Sequence, residues 1–356
     1  MTAEPLFLLA PMDGMTHASF RAICFGYGAD GATTEMILSH AFARARRRMS
    51  DKFLETLVRL PGEGPLAAQL IGSDPGLMAE AARRITALGR FDAIEINMGC
   101  PARKVVGSGN GSALMRTPGL ARDIMAAVRD ATNLPVRLKM RMGWDAERIT
   151  APELALAARS LGFQAITLHG RTRTQMYAGP VDAAGIRAVA EAVDIPVYAN
   201  GGVTCARDAL AFLEATHAAG VAIGRAALKQ PWIFDDIRRL RRGEPVHERN
   251  ARERVHLLVR LAEMACLHRP EPVAVCEMRK FSRWLLPGLT GAEAILIALN
   301  GVTTLDGYRG TMIDYLNRLE RAGDLLPHPE LAPPATLDTV RPYTGPRLNR
   351  DKGLGT

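Results

Sequence analysis

A cysteine that follows an apolar run is the residue of this chain most easily assigned a chemical role. It lies in Asn97-Met98-Gly99-Cys100-Pro101, directly after residues 92–96, whose composition is typical of a strand. A buried small hydrophobe is the ordinary alternative for a cysteine. Glycine and proline beside it shape a loop rather than fill a core, and functional residues concentrate on loops. A thiol with an ordinary pKa of about 8.5 is mostly protonated at neutral pH, so Cys100 can act as a proton donor.

Other apolar runs also end in residues that can bind or react. In chain order these residues are Pro11, Met12 and Asp13; Glu35; Gln69; Asn97 with Cys100; Lys139 and Arg141; His169 and Arg171; Asn200, Gly201 and Gly202; and Gly224 with Arg225. Glycine turns let backbone N–H groups approach an anion, and Arg225 adds a charge-assisted donor. A plain tight turn is the alternative for a single Gly-Gly pair, but two such turns in succession favour a phosphate site.

Lys139 is one of only six lysines among the 45 basic residues. Strand alternation sends Lys139 and Arg141 to the same side, which favours an anionic or electron-rich ligand over an exposed strand-end lysine. His169 and Gln69 can supply uncharged hydrogen-bonding groups to a heterocycle, although a core histidine is the alternative for His169.

The elements that must position these residues alternate between strands and helices. The predicted strands are 6–10, 32–35, 66–71, 92–97, 136–141, 165–169, 197–200 and 220–224. The helical patterns between them include 76–88, 118–131, 151–161, 182–193 and 205–216, with Asp74-Pro75, Thr117-Pro118 and Thr150 to Pro152 as start signals. Eight such repeats predict a (β/α)8 barrel, whose active site lies at the carboxyl ends of the strands. A doubly wound sheet would need a G-x-G-x-x-G turn after the first strand, where this chain has Ala10-Pro11-Met12-Asp13-Gly14.

The pattern changes after the eighth repeat. Residues 253–268, 274–286, 291–299 and 305–322 read as successive amphipathic helices. We therefore expect a catalytic barrel over 1–240, a smaller all-helical domain over 241–326, and a proline-rich, disordered tail over 327–356.

Composition narrows the class of protein. No apolar run reaches the roughly 18 residues of a membrane span and no basic leader is evident, so we expect a cytoplasmic protein. Five scattered cysteines without zinc spacing predict reduced thiols and no metal. The net charge of +8 suggests a polyanionic partner, with arginines clustered at 44–48 and 238–242. A solvated helix face is the alternative for either cluster alone.

These residues resemble, as a set, the tRNA-dihydrouridine synthases, and most closely the bacterial B-type branch. The matching blocks are 10–16 (APMDGMT), 69–75 (QLIGSDP), 96–105 (INMGCPARKV), 111–114 (GSAL), 138–144 (LKMRMGW), 168–173 (LHGRTR), 199–202 (ANGG) and 223–227 (IGRAA). They cover residues 6 to about 240 in order. The helical region matches less closely, although Arg279, Lys280 and Trp284 are similar to the family's RNA-facing helix.

The resemblance implies an enzyme that binds flavin mononucleotide (FMN) and uses NADPH to reduce the C5=C6 bond of a specific uridine in the D-loop region of tRNA. It implies that the flavin is held by Pro11, Met12, Asp13, Gln69, Lys139, His169, Asn200, Gly201, Gly202, Gly224 and Arg225. Asn97, Arg141 and Arg173 would lie on the substrate side, with Arg279 and Lys280 facing the tRNA. Cys100 would be the general acid that protonates C5 after hydride arrives at C6.

Two other functions remain open from the sequence. An FMN barrel that acts on a free small molecule, of the dihydroorotate or enoate type, would share the flavin contacts and even the cysteine. A non-catalytic RNA-binding protein would share the basic surface. Neither accounts for the helical region, the arginine excess and Cys100 together. We expect a monomer that binds tRNA and NADPH without a membrane partner.

Overall fold

Eight parallel strands form a closed barrel in the computed structural model, which describes residues 4–45 and 51–324. The strands pair in chain order and the eighth closes onto the first. They are β1 Leu6–Leu9, β2 Gly31–Leu38, β3 Leu66–Ile71, β4 Ala93–Met98, β5 Val136–Arg141, β6 Ala165–His169, β7 Val197–Asn200 and β8 Gly220–Ile223. The predicted barrel is thus confirmed, and the doubly wound alternative is wrong.

Helices follow the strands and cover the outside of the barrel. The helices of the described residues are α1 Ala18–Gly26, α2 Ser39–Arg44, α3 Asp51–Thr56, α4 Pro75–Ala87, α5 Arg103–Gly107, α6 Pro118–Asp130, α7 Ala151–Ser160, α8 Ala183–Ala192, α9 Ala206–Thr216, α10 Arg225–Lys229, α11 Ile233–Arg241, α12 Ala251–Cys266, α13 Glu271–Leu285, α14 Ala292–Ala298 and α15 Leu305–Arg321. Short 3₁₀ helices lie at Gly111–Arg116 and Leu299–Gly301. None of these described helices is long and apolar enough to cross a membrane.

The helix start signals act in two different ways. Asp74 caps α4, because its side chain accepts a hydrogen bond from the backbone N–H of Leu77. Thr117 and Thr150 make no such cap. The Thr150 backbone is already helical, and its hydroxyl instead donates to the carbonyl of Met115 at 3.3 Å. At these two sites only the following proline marks the start of the helix.

Helices α12 and α13 pack against the start of α1, beside the mouth of the barrel, and α14 and α15 pack against α12 and α13. The ring of Phe281 lies 5.2 Å from that of Phe20, and the Ser19 hydroxyl is 2.7 Å from Nε2 of His268. Arg269 pairs with Glu55 at 3.1 Å. No strand interrupts these helices between 251 and 321. The expected tail over 327–356 and Arg46, Arg47 and Arg48 lie outside the described residues.

Candidate active site

The carboxyl ends of β5 and β7 bring two predicted site residues into direct contact. Nζ of Lys139 donates a hydrogen bond to Oδ1 of Asn200 at 3.0 Å, and Nδ2 of Asn200 donates to the carbonyl of Ala222 at 2.7 Å. The Asn200 amide is therefore fixed with its oxygen toward the lysine. This arrangement leaves the remaining Lys139 protons for a ligand in the barrel mouth.

Burial sets the charges at this mouth. It lowers the pKa of Lys139 to about 8, and the neighbouring Glu95 carboxylate partly opposes that shift. Burial, with Lys139 and three arginines nearby, lowers the pKa of His169 to about 2, so this imidazole is neutral. Nδ1 of His169 is buried without a hydrogen-bond partner in the described structure. A cation and a neutral imidazole with an unused nitrogen suit an anionic heterocycle.

The turn after β7 requires glycine. Gly201 and Gly202 have φ angles of 110° and 76°, a region that L-residues with side chains rarely adopt. A Cβ atom on Gly201 would also lie 3.1 Å from Cε1 of His169. Because the turn carries no side chains, its backbone can approach a ligand closely.

The turn after β8 is more open than the turn after β7. A Cβ atom on Gly224 would lie 3.8 Å from Sδ of Met12, and no other described residue beyond its two chain neighbours comes within 4 Å of that position. Arg225 follows as the first residue of α10, is exposed, and lies with its guanidinium 4.9 Å from the ring centre of Tyr177. Together the two turns present backbone without side chains, with a cation nearby, which fits a phosphate.

Cys100 lies in a loop that is held in place by hydrogen bonds between its main chain and neighbouring side chains. Oδ1 of Asn97 accepts hydrogen bonds from the backbone N–H groups of Gly99 at 3.0 Å and Cys100 at 2.9 Å. The Ser112 hydroxyl donates to the Cys100 carbonyl at 2.9 Å. The thiol is half-buried, and this burial raises its pKa above the ordinary value. Cys100 is therefore protonated at neutral pH, as a proton donor must be.

Gln69 connects the Cys100 loop to a residue that the sequence analysis missed. Its Oε1 accepts from Nδ2 of Asn97 at 2.8 Å, and its Nε2 donates to Oε1 of Glu95 at 2.7 Å. All three side chains are buried. Glu95 could have been noticed, because it is a charge within an apolar strand and shares the face of Asn97 by strand alternation.

Arg141 has a structural role that its sequence position did not reveal. It is 2% exposed and donates to three backbone carbonyls, those of Gly99 at 2.8 Å, Thr172 at 2.8 Å and Met176 at 2.7 Å. It thereby ties the Cys100 loop to the loop after β6. A direct contact of Arg141 with substrate stays a prediction.

The residues after β1 lie beside the turn after β8, where Sδ of Met12 approaches Gly224. Pro11 and Met12 are half-buried, and the backbone N–H of Met12 donates to the Thr16 hydroxyl at 3.0 Å. Asp13 is exposed, and its charge contributes to the raised pKa of Cys100, which places the two near each other.

The remaining residues predicted to contact tRNA or substrate lie on α13 and on the rim of the barrel mouth beside Trp144. Arg279 donates to the carbonyls of Leu299 and Val302, each at 3.1 Å, and so anchors the turn after α14. Lys280 is exposed, and its Nζ approaches the loop after β1 at Gly14. Arg173 lies 4.7 Å from the ring centre of Trp144, with Arg116 at 4.3 Å from the same ring.

The arginine cluster of α11 is paired rather than free. Arg238 contacts Asp30 at 2.7 Å, Arg241 contacts Glu4 at 3.6 Å, and Arg242 contacts Glu244 at 2.6 Å. Arg239 shares Glu244 at 4.0 Å. Its positive charge is thus largely neutralised by carboxylates of the chain itself.

Comparison with known proteins identifies the family of the chain. A family model described as "Dihydrouridine synthase (Dus)" matches residues 8–312. The tRNA-dihydrouridine synthase B of Pseudomonas aeruginosa is 38% identical over 301 residues, which cover 84% of this chain and 89% of that protein. A probable tRNA-dihydrouridine synthase of Rhizobium leguminosarum is 39% identical over 299 residues, covering 82% and 90%.

A solved structure shares the fold alone. The 6-hydroxypseudooxynicotine amine oxidase of Pseudomonas geniculata aligns with a TM-score of 0.50 at 12% identity, over 67% of this chain and 47% of that one. The family match, by contrast, extends over most of the sequence. The chain belongs to the dihydrouridine synthase family.

Proposed function

We propose that this protein is an FMN-dependent tRNA-dihydrouridine synthase that reduces the C5=C6 bond of a uridine in the D-loop region, with NADPH as the electron donor. The observation that carries the proposal is the protonated Cys100 thiol in a braced loop, at the same mouth as Lys139, His169 and the two glycine turns. The names of the relatives supply the substrate class.

The residues at the mouth fit FMN in charge and in hydrogen-bonding capacity. Lys139 and His169 would hold the ring, since they offer a cation and a neutral imidazole with an unpartnered nitrogen. The Gln69 amide already bonds Asn97 and Glu95, so its contact with the flavin stays a prediction. Gly201, Gly202 and Arg225 would hold the phosphate. When bound, FMN would supply the reducing equivalents for the substrate ring.

Cys100 would supply the proton. Reduction of an enone-like ring at C6 leaves negative charge delocalised toward C5, and that carbon then takes one proton. The thiol is protonated at neutral pH and its loop is braced on both sides, by Asn97 and by Ser112. Because a uridine in folded tRNA is stacked or paired, the base must swing out to reach it.

Replacing Arg225 by alanine is expected to weaken flavin retention, because it removes the side-chain cation at the turn after β8. The measurement is the FMN content per folded molecule after purification and dialysis, read from the absorbance spectrum. Arg187→Ala is the matched control, since Arg187 pairs with Glu191 on the outside of the barrel at 2.8 Å. A colourless wild-type protein that cannot be reconstituted with FMN would contradict the flavin proposal.

The affinity of the flavin-free protein for FMN is expected to fall as pH rises through about 8, where Lys139 loses its proton. The sign follows from the group: below this pKa Lys139 is a cation that attracts the anionic ligand, and above it the amine is neutral. Titration of the apoprotein with FMN at several pH values measures the effect. Lys139→Arg keeps the charge and should remove this pH dependence, whereas an unchanged profile in that variant would assign it to another group.

The substrate class is tested by comparing turnover of tRNA with that of free uracil and orotate. Dihydrouridine that appears only in tRNA supports the proposal. Turnover of the free pyrimidines with no product in tRNA would favour a small-molecule reductase.

A further inference from the structure

A continuous row of hydrogen bonds runs from the inside of the barrel to the Cys100 loop. It begins at Glu95, passes through the amides of Gln69 and Asn97, and ends at two backbone N–H groups. The successive distances are 2.7, 2.8, 3.0 and 2.9 Å. Glu95, Gln69 and Asn97 are 3%, 1% and 7% exposed, so water cannot readily replace these partners.

The two ends of this row fix the orientation of the two side-chain amides between them. An ionised carboxylate only accepts hydrogen bonds, and a backbone N–H only donates them. Gln69 must therefore turn its nitrogen to Glu95 and its oxygen to Asn97. Asn97 must in turn direct its nitrogen to Gln69 and its oxygen to the loop. Rotating either amide by 180° would exchange its oxygen and nitrogen. A donor would then lie against a donor, and an acceptor against an acceptor.

Burial raises the pKa of Glu95, and the Lys139 and Arg137 cations together with hydrogen bonds from Gln69 and Thr33 offset part of that rise. The geometry is that of an accepting carboxylate, because Nε2 of Gln69 donates to its Oε1 at 2.7 Å. Strand pairing places Gln69 directly opposite Glu95, and Lys139 opposite Asn97. The carboxylate thus has a donor and two cations around it inside the barrel.

We propose that Glu95 is a positioning residue for Cys100: through Gln69 it fixes the orientation of the Asn97 amide and thereby the loop that presents the thiol. Glu95 does not itself contact this loop. The functional meaning of the inference rests on the proposed role of Cys100, but the coupling between the two residues can be measured without any enzymatic activity.

The test exchanges the two residues at the paired strand positions. Glu95→Gln alone replaces the accepting carboxylate by an amide, which can donate as well as accept, so the directions of the Gln69 and Asn97 amides are no longer fixed. Adding Gln69→Glu fixes them again: the amide at 95 donates to the carboxylate at 69, which still accepts from Asn97. Both proteins carry the same change at position 95, and the double variant retains one buried negative charge near Lys139.

The readout is the alkylation rate of the Cys100 thiol by iodoacetamide, followed by peptide mass spectrometry. We expect Glu95→Gln to raise this rate about fivefold, the factor that corresponds to one net hydrogen bond, because a loosened loop exposes the half-buried thiol. The double variant should return to within about twofold of the wild type. The partly exposed Cys266 and Cys276, on α12 and α13, serve as reference thiols in the same sample.

Two outcomes would overturn the proposal. One is an unchanged Cys100 rate in Glu95→Gln, and the other is an equal increase in the single and double variants. If the exchange rescues the alkylation rate while Cys100→Ala leaves dihydrouridine formation intact, the positioning is real and the proposed catalytic role is wrong. Single-turnover oxidation of the reduced enzyme at saturating tRNA then shows whether the same exchange also rescues the chemical step.

Discussion

Cys100→Ala is expected to lower dihydrouridine formation by about two to four orders of magnitude, the usual effect of removing a placed general acid. The variant should keep its flavin and still be reduced by NADPH. The residues proposed to hold the flavin, such as Lys139 within β5 and Arg225 after β8, lie on other elements and do not depend on the thiol.

The structure explains why Cys100→Ala can separate flavin reduction by NADPH from dihydrouridine formation. The loop is held through the main chain of Gly99 and Cys100, by Asn97, Ser112 and Arg141, and alanine retains all of these contacts. Loss of the half-buried sulfur removes little packing. The variant should therefore fold and bind normally while lacking the proton at C5.

Single-turnover oxidation of the reduced variant by tRNA provides the measurement. Slow flavin reoxidation with normal flavin content supports the role of Cys100. Normal reoxidation with normal product would remove Cys100 from the mechanism. Lower stability with near-normal turnover per folded molecule would make it a packing residue only. Cys100→Ser, which keeps the size but is a weaker acid, should remain slow.

The barrel was predictable because most of its strands are buried on both faces. Such strands read as short apolar runs bounded by glycine or proline, and β3, β6 and β7 begin and end where the sequence predicts. β5 also has the predicted bounds, although its apolar residues alternate with Arg137, Lys139 and Arg141. β2 is longer than predicted, extending over Gly31–Leu38, because pairing with β3 resumes after an irregularity between Thr33 and Met36. The polar Thr-Thr-Glu segment conceals that continuation in the sequence.

The sequence predicted which strand ends carry the site residues, but not the hydrogen bonds and ion pairs that these residues make. Order along the chain places Lys139 and Asn200 at one edge of a barrel, and their contact confirms it. Sequence cannot show that the N–H groups of Arg141 and Arg279 donate to backbone carbonyls, since those carbonyls belong to distant segments. The same holds for Arg238 and Asp30, whose ion pair joins residues 208 positions apart.

The distribution of ion pairs indicates which face could bind RNA. The α11 arginines are neutralised by carboxylates of the chain. Arg116 and Arg173, at the mouth, have no carboxylate partner within residues 4–45 and 51–324, and both lie over Trp144. A guanidinium supported by an aromatic ring is preorganised for a phosphate, and binding it costs no existing ion pair. We therefore expect the tRNA backbone to contact this rim rather than α11.

The double variant Arg116→Ala/Arg173→Ala is accordingly expected to weaken tRNA binding on the order of tenfold or more at moderate salt. Each phosphate contact contributes a slope of about −0.7 to −0.9 to the dependence of log affinity on log salt, so two lost contacts should flatten it by about 1.5. Arg238→Ala/Arg242→Ala, which removes the same charge from α11, is the matched control and should change both quantities little. Fluorescence anisotropy of labelled tRNA across a salt series measures them, with flavin content confirming that each variant is folded. If the control flattens the slope and the rim variant does not, the tRNA lies across α11, and the neutralising carboxylates do not prevent binding.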